Sequence, residues 1–425
     1  MTAVLDHPVS NLIVPVGWIG APRLLRGVGS RNLLDYAEHT AEHGPLPMLG
    51  IQALLDVLES AALTGRGGAG FPLARKIRSL RPGAEPVVVI NATEGEPSSA
   101  KDHVLLVRTP HQVLDGAMVI AGAIGAGRVL IGVTGPQVAA AVTAAVRDRP
   151  DAIRFQVHQV TDRFISGEAL ALVSALSGGP AVPPGRRRLP TDRGVDGAPT
   201  LLSNAETFAQ VATLVRLGAQ RFASTGTESE PGTTLVTVTG AVSYPGVLEV
   251  PFGVEIGTVA DAVGARATQA VVIGGYHGAW LRPDAGLRLS RAALREAGGT
   301  LGAGAVMFVG TETCALLELA RITQWLADQS AKQCGPCAFG LPALAGDVRD
   351  LASGNAAPGV AERHIALVSG RGACAHPDGA TRFIRSGLAV LAGDIRNHQA
   401  YGGCRRGDHG HLPSSRSHAF ERELT

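Results

Sequence analysis

The sequence predicts an α/β fold: a mostly parallel sheet with covering helices, then a small β-rich module and a C-terminal helical bundle. Three observations predict it. Apolar β-type runs alternate with helically spaced runs between 86 and 160, the order that builds a parallel sheet with crossover helices. The polar turn at Glu228–Thr233 gives way to short strands around Pro245-Gly246 and Gly274-Gly275. Helical periodicity then dominates from 312 to 394.

Residues 1–50 are punctuated by Pro and Gly and read as irregular. Ile51, Leu54, Leu55, Val57, Leu58 and Ala61 share one helical face, so 51–63 is a helix. Pro86–Ile90 is a buried strand and Asn91–Asp102 a polar loop. A helix at 112–124, a strand at Arg128–Val133, a helix at 136–147 and a strand at Ile153–Val160 follow. Helices near 167–177 and 204–217 complete the first domain. Short strands at Val236–Val242, Gly246–Val250 and Ala270–Gly274 form the β module, with one more strand at Ala305–Val309. Segments 312–328, 340–352, 360–369 and 378–394 predict a four-helix bundle. The polar tail, with His409, His411, Arg416 and His418, reads as disordered. The expected divisions are 1–50, 51–227, 228–290, 300–400 and 401–425.

Composition bounds the function. Hydrophobic residues make up 45% of 425 and charged residues 17%, enough apolar surface to exclude an intrinsically disordered chain. Glycine, at 55 residues, is well above the ~7% average and implies tight loops and close backbone approaches. A net charge of +2 argues against an electrostatic nucleic-acid binder. The start shows no signal-peptide pattern, and no stretch is long and apolar enough to span a bilayer, so a cytoplasmic protein is expected. Five cysteines are too few for a disulfide scaffold and point to metal or redox chemistry.

Three motifs could carry that chemistry. Gly65-Arg-Gly-Gly-Ala-Gly-Phe-Pro72 contains G-x-G-x-x-G. A helix rather than a strand precedes it, so it is not a dinucleotide fingerprint. Its glycines still expose backbone N–H groups to a planar or phosphorylated ligand, with Arg66 and Lys76 as nearby cations; the alternative is a flexible turn. Asn91-Ala-Thr-Glu-Gly-Glu-Pro97 stands at the carboxyl end of a strand, where open α/β sheets bind ligands. Its two carboxylates suit acid–base work or ribose hydrogen bonding, or simply form a solvated turn. Cys334-Gly-Pro-Cys337, with Cys374 and Cys404 further on, offers thiols for an iron–sulfur cluster, a zinc ion or a redox dithiol. Cys314 falls in an apolar helix and reads as a core residue.

In this order the motifs resemble the NADH-binding flavoprotein (F-type) component of bacterial respiratory complex I and its soluble relatives. The resemblance covers about Leu54 to Ala400. Gly65–Pro72 is similar to the family's GRGGAGFP, Asn91–Pro97 to NADEGEP, Phe164–Leu170 to YICGEETAL, and Ser203–Thr207 to NNVET. It implies a Rossmann-like FMN-binding domain, a ubiquitin-like β-grasp (SLBB) domain over 233–286 and a bundle bearing a 4Fe–4S cluster. The implied activity is that of an NAD(P)H dehydrogenase: hydride passes from NAD(H) to FMN, and electrons pass through the cluster to a ferredoxin-like partner or a quinone or membrane reductase. Association with a membrane would come only through such partner subunits. The alternative is a non-catalytic relative serving as a binding or scaffold subunit.

Carried over position by position, the FMN side falls on Gly65, Arg66, Gly67, Gly68, Lys76, Asn91, Thr93, Gly167, Glu168, Ser203, Asn204 and Thr207. Glu94 would flank the flavin and lower its potential. No side chain is implied as a general base. The NADH side falls on Phe71 and Glu96. Ala169 stands where the family has a second Glu, Phe164 replaces its Tyr, Ser79 and Leu189 fall on aromatics, and Arg186 falls on a Lys. The expected cluster ligands are Cys334, Cys337 and Cys374. Ala331 occupies the family's first ligand position, and Cys404 is the expected fourth ligand; the alternatives are a 3Fe–4S centre, a non-cysteine ligand such as His376, or no cluster.

Overall fold

The structure, a computed structural model, describes residues 14–29, 33–185, 188–357, 359–404, 406, 407, 412 and 413. These residues form two compact units. The first gathers the chain up to Gly95, Ala100–Val236 and Val247–Val254; the second gathers Glu96–Ser99, Thr237–Gly246 and Glu255 onward. The stretch expected to form the β module is thus divided between the two units, with Val247–Val254 in the first, while the helical bundle lies in the second.

The first unit contains β1 (Val16–Trp18), α1 (Tyr36–His43), α2 (Ile51–Ser60), α3 (Leu73–Arg78), β2 (Val87–Ala92), α4 (Lys101–Arg108), α5 (Pro110–Ile124), β3 (Arg128–Val133) and α6 (Pro136–Arg147). It continues with β4 (Phe155–Gln159), α7 (Ala169–Leu176), α8 (Pro190–Arg193), β5 (Thr200–Asn204) and α9 (Ala205–Phe222). Its main sheet is parallel throughout, in the order β4-β3-β2-β5. Strand β2 lies inside the sheet and is apolar nearly end to end because both of its faces are covered. Val87, Val89, Leu130, Leu172 and Leu202 pack into one core cluster on one face. Helix α5 starts with Pro110 at its first turn and is buried continuously from Pro110 to Ala121.

Residues expected to be irregular contribute β1 and α1. Asp35 caps α1 reciprocally with Glu38, a capping box. Strand β1 pairs in parallel with residues 247–249 of β7 (Gly246–Pro251). Glu249 on that strand is fully buried. Its carboxylate accepts the backbone N–H groups of Arg23, Leu24 and Leu25 and the Thr233 hydroxyl at 2.6 Å.

The second unit contains the end of β6 (Thr233–Gly240), α10 (Ile256–Val263), β8 (Thr268–Ile273), β9 (Ala279–Leu281), α11 (Arg291–Glu296) and β10 (Ala305–Gly310). Strand β10 pairs in parallel with residues 237–240 of β6 and antiparallel with β8, which pairs antiparallel with β9. Helices α12 (Ala315–Asp328), α13 (Leu341–Ala352), α14 (Val360–Val368), α15 (His376–Val390) and α16 (Ala392–Tyr401) follow. The expected helix 378–394 divides at Leu391 into α15 and α16, so five helices lie in this region among the described residues. Tyr276 and Trp280 bury against Phe383 with ring centroids 5.7 and 5.8 Å apart, fastening the β hairpin to α15.

The tail was expected to be disordered, yet its described residues are docked. Gly407 bridges to Thr313, Leu412 is fully buried, and the carbonyls of Leu412 and Pro413 accept from Arg321 and the Tyr276 hydroxyl. Apolar burial and satisfied carbonyls outweigh the tail's polar composition. The expectations for His409, His411, Arg416 and His418 lie outside the described residues. Among those residues no helix is long and apolar enough to cross a membrane.

Candidate functional site

In the first unit, the expected site residues converge at the carboxyl ends of β2 and β5, where Asn91 pairs with Asn204. The glycine loop closes through Gly65 N–H to the Phe71 carbonyl at 2.9 Å. Gly68 and Gly70 have φ of 100° and 62°, left-handed values that other residues rarely adopt. A methyl group on Gly67 would press on Asn204 Cβ at 3.3 Å, so the loop lies close against the β5–α9 turn.

Most polar side chains of the site hold the site itself together. Asn91 donates to the Gly167 carbonyl at 2.9 Å, and its Oδ1 accepts from the Thr93 hydroxyl at 2.6 Å. Glu94 accepts the N–H groups of Asp102 and His103 at the start of α4, a helix where the sequence pattern predicts only loop up to Asp102. Glu168 caps α7 through Leu170 and Ala171, and burial raises its pKa. Asn204 caps α9, and Thr207 accepts the Arg66 N–H at 2.9 Å. Ser203 is buried in β5. A methyl group on Gly167 would come within 2.8 Å of the Thr93 carbonyl, so the two loops pack backbone to backbone. Glu96 is in the second unit, where it accepts from Ser98 and from Tyr276 N–H at 2.7 Å.

The Arg66 guanidinium turns inward. It bonds the Thr64 carbonyl, stands 3.7 Å from Glu206 and lies 4.7 Å over the Phe252 ring. Beside it runs a buried charge network that sequence reasoning missed. Lys101 reaches Asp102 at 2.9 Å, Asn204 at 3.0 Å and Glu206 at 3.1 Å. Burial raises the Asp102 pKa to about 6, and the surrounding carboxylates hold Lys101 up despite its own desolvation. The available signal was Lys101 and Asp102 shortly after the Asn91–Pro97 motif and Glu206 within Ser203–Thr207, in a chain otherwise poor in charge.

Lys76 differs from all of these. Among the described residues its amine bonds the Leu202 carbonyl, at 2.8 Å, and burial lowers its pKa with no carboxylate to offset it. A half-buried ammonium with no carboxylate among the described residues to offset it, on the helix that follows the glycine loop, fits the phosphate of FMN. Of the positions expected to face the nicotinamide, Phe71, Leu189 and Ser79 are exposed, Phe164 is partly buried, and Ala169 opens α7. Arg186 lies outside the described residues.

In the second unit, Cys334, Cys337 and Cys374 come together. The buried Cys337 thiol is pushed up to about 12 by burial and then by Cys334 and Cys374. Its N–H bonds the Cys334 carbonyl at 3.0 Å across the turn into Pro336–Gly340. Three soft donors close enough to act on one another's charge fit three corners of an iron–sulfur cluster. His376, the alternative ligand, has both ring nitrogens engaged, one by His277 and one by the Leu326 carbonyl, each at 3.0 Å. Cys404, the expected fourth ligand, is seated elsewhere, with Cys314 and His398. Cys314 is the N-cap residue of α12 rather than an interior helical residue.

The model of the Nuo51 FMN-binding domain matches residues 58–213, and that of the NADH-ubiquinone oxidoreductase-F iron–sulfur binding region matches 318–398. The chain is 29% identical over 377 residues to the second NADH-quinone oxidoreductase F subunit of Rhizobium meliloti (strain 1021), covering 81% of this chain and 88% of that one. It is 30% identical over 368 residues to the corresponding F subunit of Salmonella typhimurium, covering 79% and 82%. Among solved structures, it is similar to a chain of an NAD+-reducing NiFe-hydrogenase in the H2-reduced state, with TM-score 0.72 and 29% identity. That match covers 85% of this chain and 64% of the other, so the present chain spans just under two thirds of its length.

Proposed function

Because the chain belongs to the family of NADH-quinone oxidoreductase F subunits, we propose that it binds NADH beside FMN and delivers electrons to a partner chain carrying a ferredoxin-like or quinone-linked acceptor. When bound, FMN accepts hydride from the nicotinamide and releases electrons singly to an iron–sulfur cluster. The protein's own part is positioning. Gly67–Gly70 lets the ligand approach bare backbone, Lys76 supplies the cation for the phosphate, and Phe71 presents an exposed ring for stacking. Asn91, Glu94, Glu168, Asn204 and Thr207 hold these loops in place and need not touch a ligand. No general base is required, and none of the site carboxylates stands unpartnered to serve as one.

Cys334, Cys337 and Cys374 would hold the cluster, leaving the fourth iron to a ligand other than cysteine. Ala169, Ser79 and Leu189 remove one carboxylate and two stacking faces from the nicotinamide side, which predicts a high NADH KM. The observation that carries the reading is Lys76, half-buried against the Leu202 carbonyl of β5 with no carboxylate among the described residues to offset it.

Anaerobic reconstitution with FMN, iron and sulfide, followed by an NADH titration read by absorption, tests it. Flavin peaks over a broad iron–sulfur shoulder, bleached by NADH, are expected. A protein that binds no flavin would overturn the reading. Bound flavin that NADH and NADPH both leave unbleached would favour the scaffold alternative.

A further inference from the structure

The second unit holds a thiol and imidazole group that the iron–sulfur reading does not use. Cys314 Sγ, His398 Nε2 and Cys404 Sγ all lie within 4.8 Å of one another, and Cys314 Sγ is 3.4 Å from His398 Nε2. Cys314 and His398 are buried, and Cys404 is partly exposed. Three elements supply the group: the start of α12, the last turns of α16 and the segment after it. A tetrahedral zinc ion with bonds of about 2.3 Å to sulfur and 2.0–2.1 Å to nitrogen sets its ligands roughly 3.5–3.8 Å apart. The observed spacing therefore needs little movement to close on such an ion.

A second, independent observation concerns the imidazole. His398 Nδ1 lies 2.6 Å from the Ala352 carbonyl, which can only accept, so Nδ1 carries the proton. Nε2 is then left with its lone pair aimed at the two sulfurs. A backbone carbonyl fixing the far nitrogen is the usual support of a metal-ligating histidine. The segment bearing Cys404 is pinned as well. Cys314 N–H donates to the Gly407 carbonyl at 2.9 Å, Gly407 N–H donates to the Glu312 carbonyl, and Arg406 pairs with Asp394 at 3.2 Å. Cys314 and Cys404 both lie outside residues 318–398, the part that matches the family's iron–sulfur region.

We propose that Cys314, His398 and Cys404 form a second metal site that takes a zinc ion, or another thiophilic divalent cation, and clasps the segment after α16 to the start of α12. Both thiols bind as thiolates and release their protons to solvent; no electron is transferred. The fourth position is left to water. This site does not depend on the flavin reading, and its failure would leave that reading intact.

The test uses the full chain with Cys334, Cys337 and Cys374 all changed to Ser, which removes the competing thiols. Zinc is added anaerobically, excess is removed, and bound metal is counted by elemental analysis. About one zinc per chain is expected. Cys404→Ser and His398→Ala in that background should each lower zinc affinity at least 100-fold, and cobalt should give thiolate charge-transfer bands only with the trio intact. Less than a tenth of a zinc per chain, or a stoichiometry unmoved by Cys404→Ser, overturns the proposal. So does a Cys314–Cys404 disulfide in anaerobically prepared protein that binds no zinc. Should a variant fail to fold, the stoichiometry and cobalt spectrum with the trio intact still decide.

Discussion

The sheet end in the first unit and the cysteine groups in the second treat their reactive side chains in opposite ways. At the sheet end, almost every acid and amide is engaged by the protein's own backbone or by a neighbouring charge: Glu94 on α4, Glu168 on α7, Asn204 on α9, Lys101 on Asp102 and Glu206. In the second unit the thiols have chiefly one another, and burial together with crowding raises the Cys337 pKa. A pocket for a large organic cofactor must be rigid before its ligand arrives, so its polar groups serve as scaffold and only a few N–H groups and one cation face outward. A metal centre is completed by the ion itself, so its ligands stand ready but mutually repulsive as thiolates.

The largest test of this contrast is Cys337→Ser. It should abolish iron and sulfide incorporation while leaving flavin affinity within twofold. Flavin loss of comparable size would show that the two sites are not independent. Next is Lys101→Met, which takes the ammonium from between the buried Asp102 and Glu206, leaving them to Asn204 and Arg66, and should cost about 3–5 kcal/mol in urea denaturation of the apo chain. A cost below ~1 kcal/mol would mean that the network is not a scaffold. Lys76→Met should leave stability nearly unchanged or improve it, since it removes a desolvated charge. It should also weaken FMN binding about 10–100-fold by flavin fluorescence titration, corresponding to about 1.4–2.7 kcal/mol.

The smallest effect is on pH dependence, at a polar cluster remote in sequence from the glycine loop. Burial, followed by the charge of Arg149, lowers the His111 pKa to about 4. Its folded pKa lies below the unfolded value, so its contribution is present above about pH 6.5 and is lost as pH falls towards 4. The melting temperature should drop over that interval, and His111→Phe should flatten the drop without affecting the Cys sites. An unchanged acid limb would assign the drop to other groups, such as His43, which burial lowers to about 3.

The periodic parts of the fold were legible in the sequence. The helix at 136–147 and the strand at 128–133 have the expected bounds because each is bracketed by Gly and Pro signals and has strong apolar periodicity. Helix α4 was hidden because its cap comes from Glu94, a carboxylate several residues upstream of its first turn. The glycine loop and the strand-end motif were readable as motifs, but the inward turn of Arg66 was not. That turn is set by Glu206 and Phe252, which are distant in sequence. Cys404 misled for a similar reason. Thiol counting brings it to the nearest incomplete site, whereas the Gly407 pairing with Thr313 and Cys314 draws it to α12.

The docked tail also has a consequence for the timing of assembly. During synthesis Cys404, Gly407, Leu412 and Pro413 emerge after the helices and strands described for the second unit. Until then the Tyr276 hydroxyl, the Cys314 N–H and the Arg321 side chain lack the carbonyls they bond in the finished chain. The second unit is thus sealed only after its last described helix has been made. A nascent chain stalled before that point would expose unpaired donors and the socket that Leu412 fills, a surface that chaperones and proteases can read as unfinished.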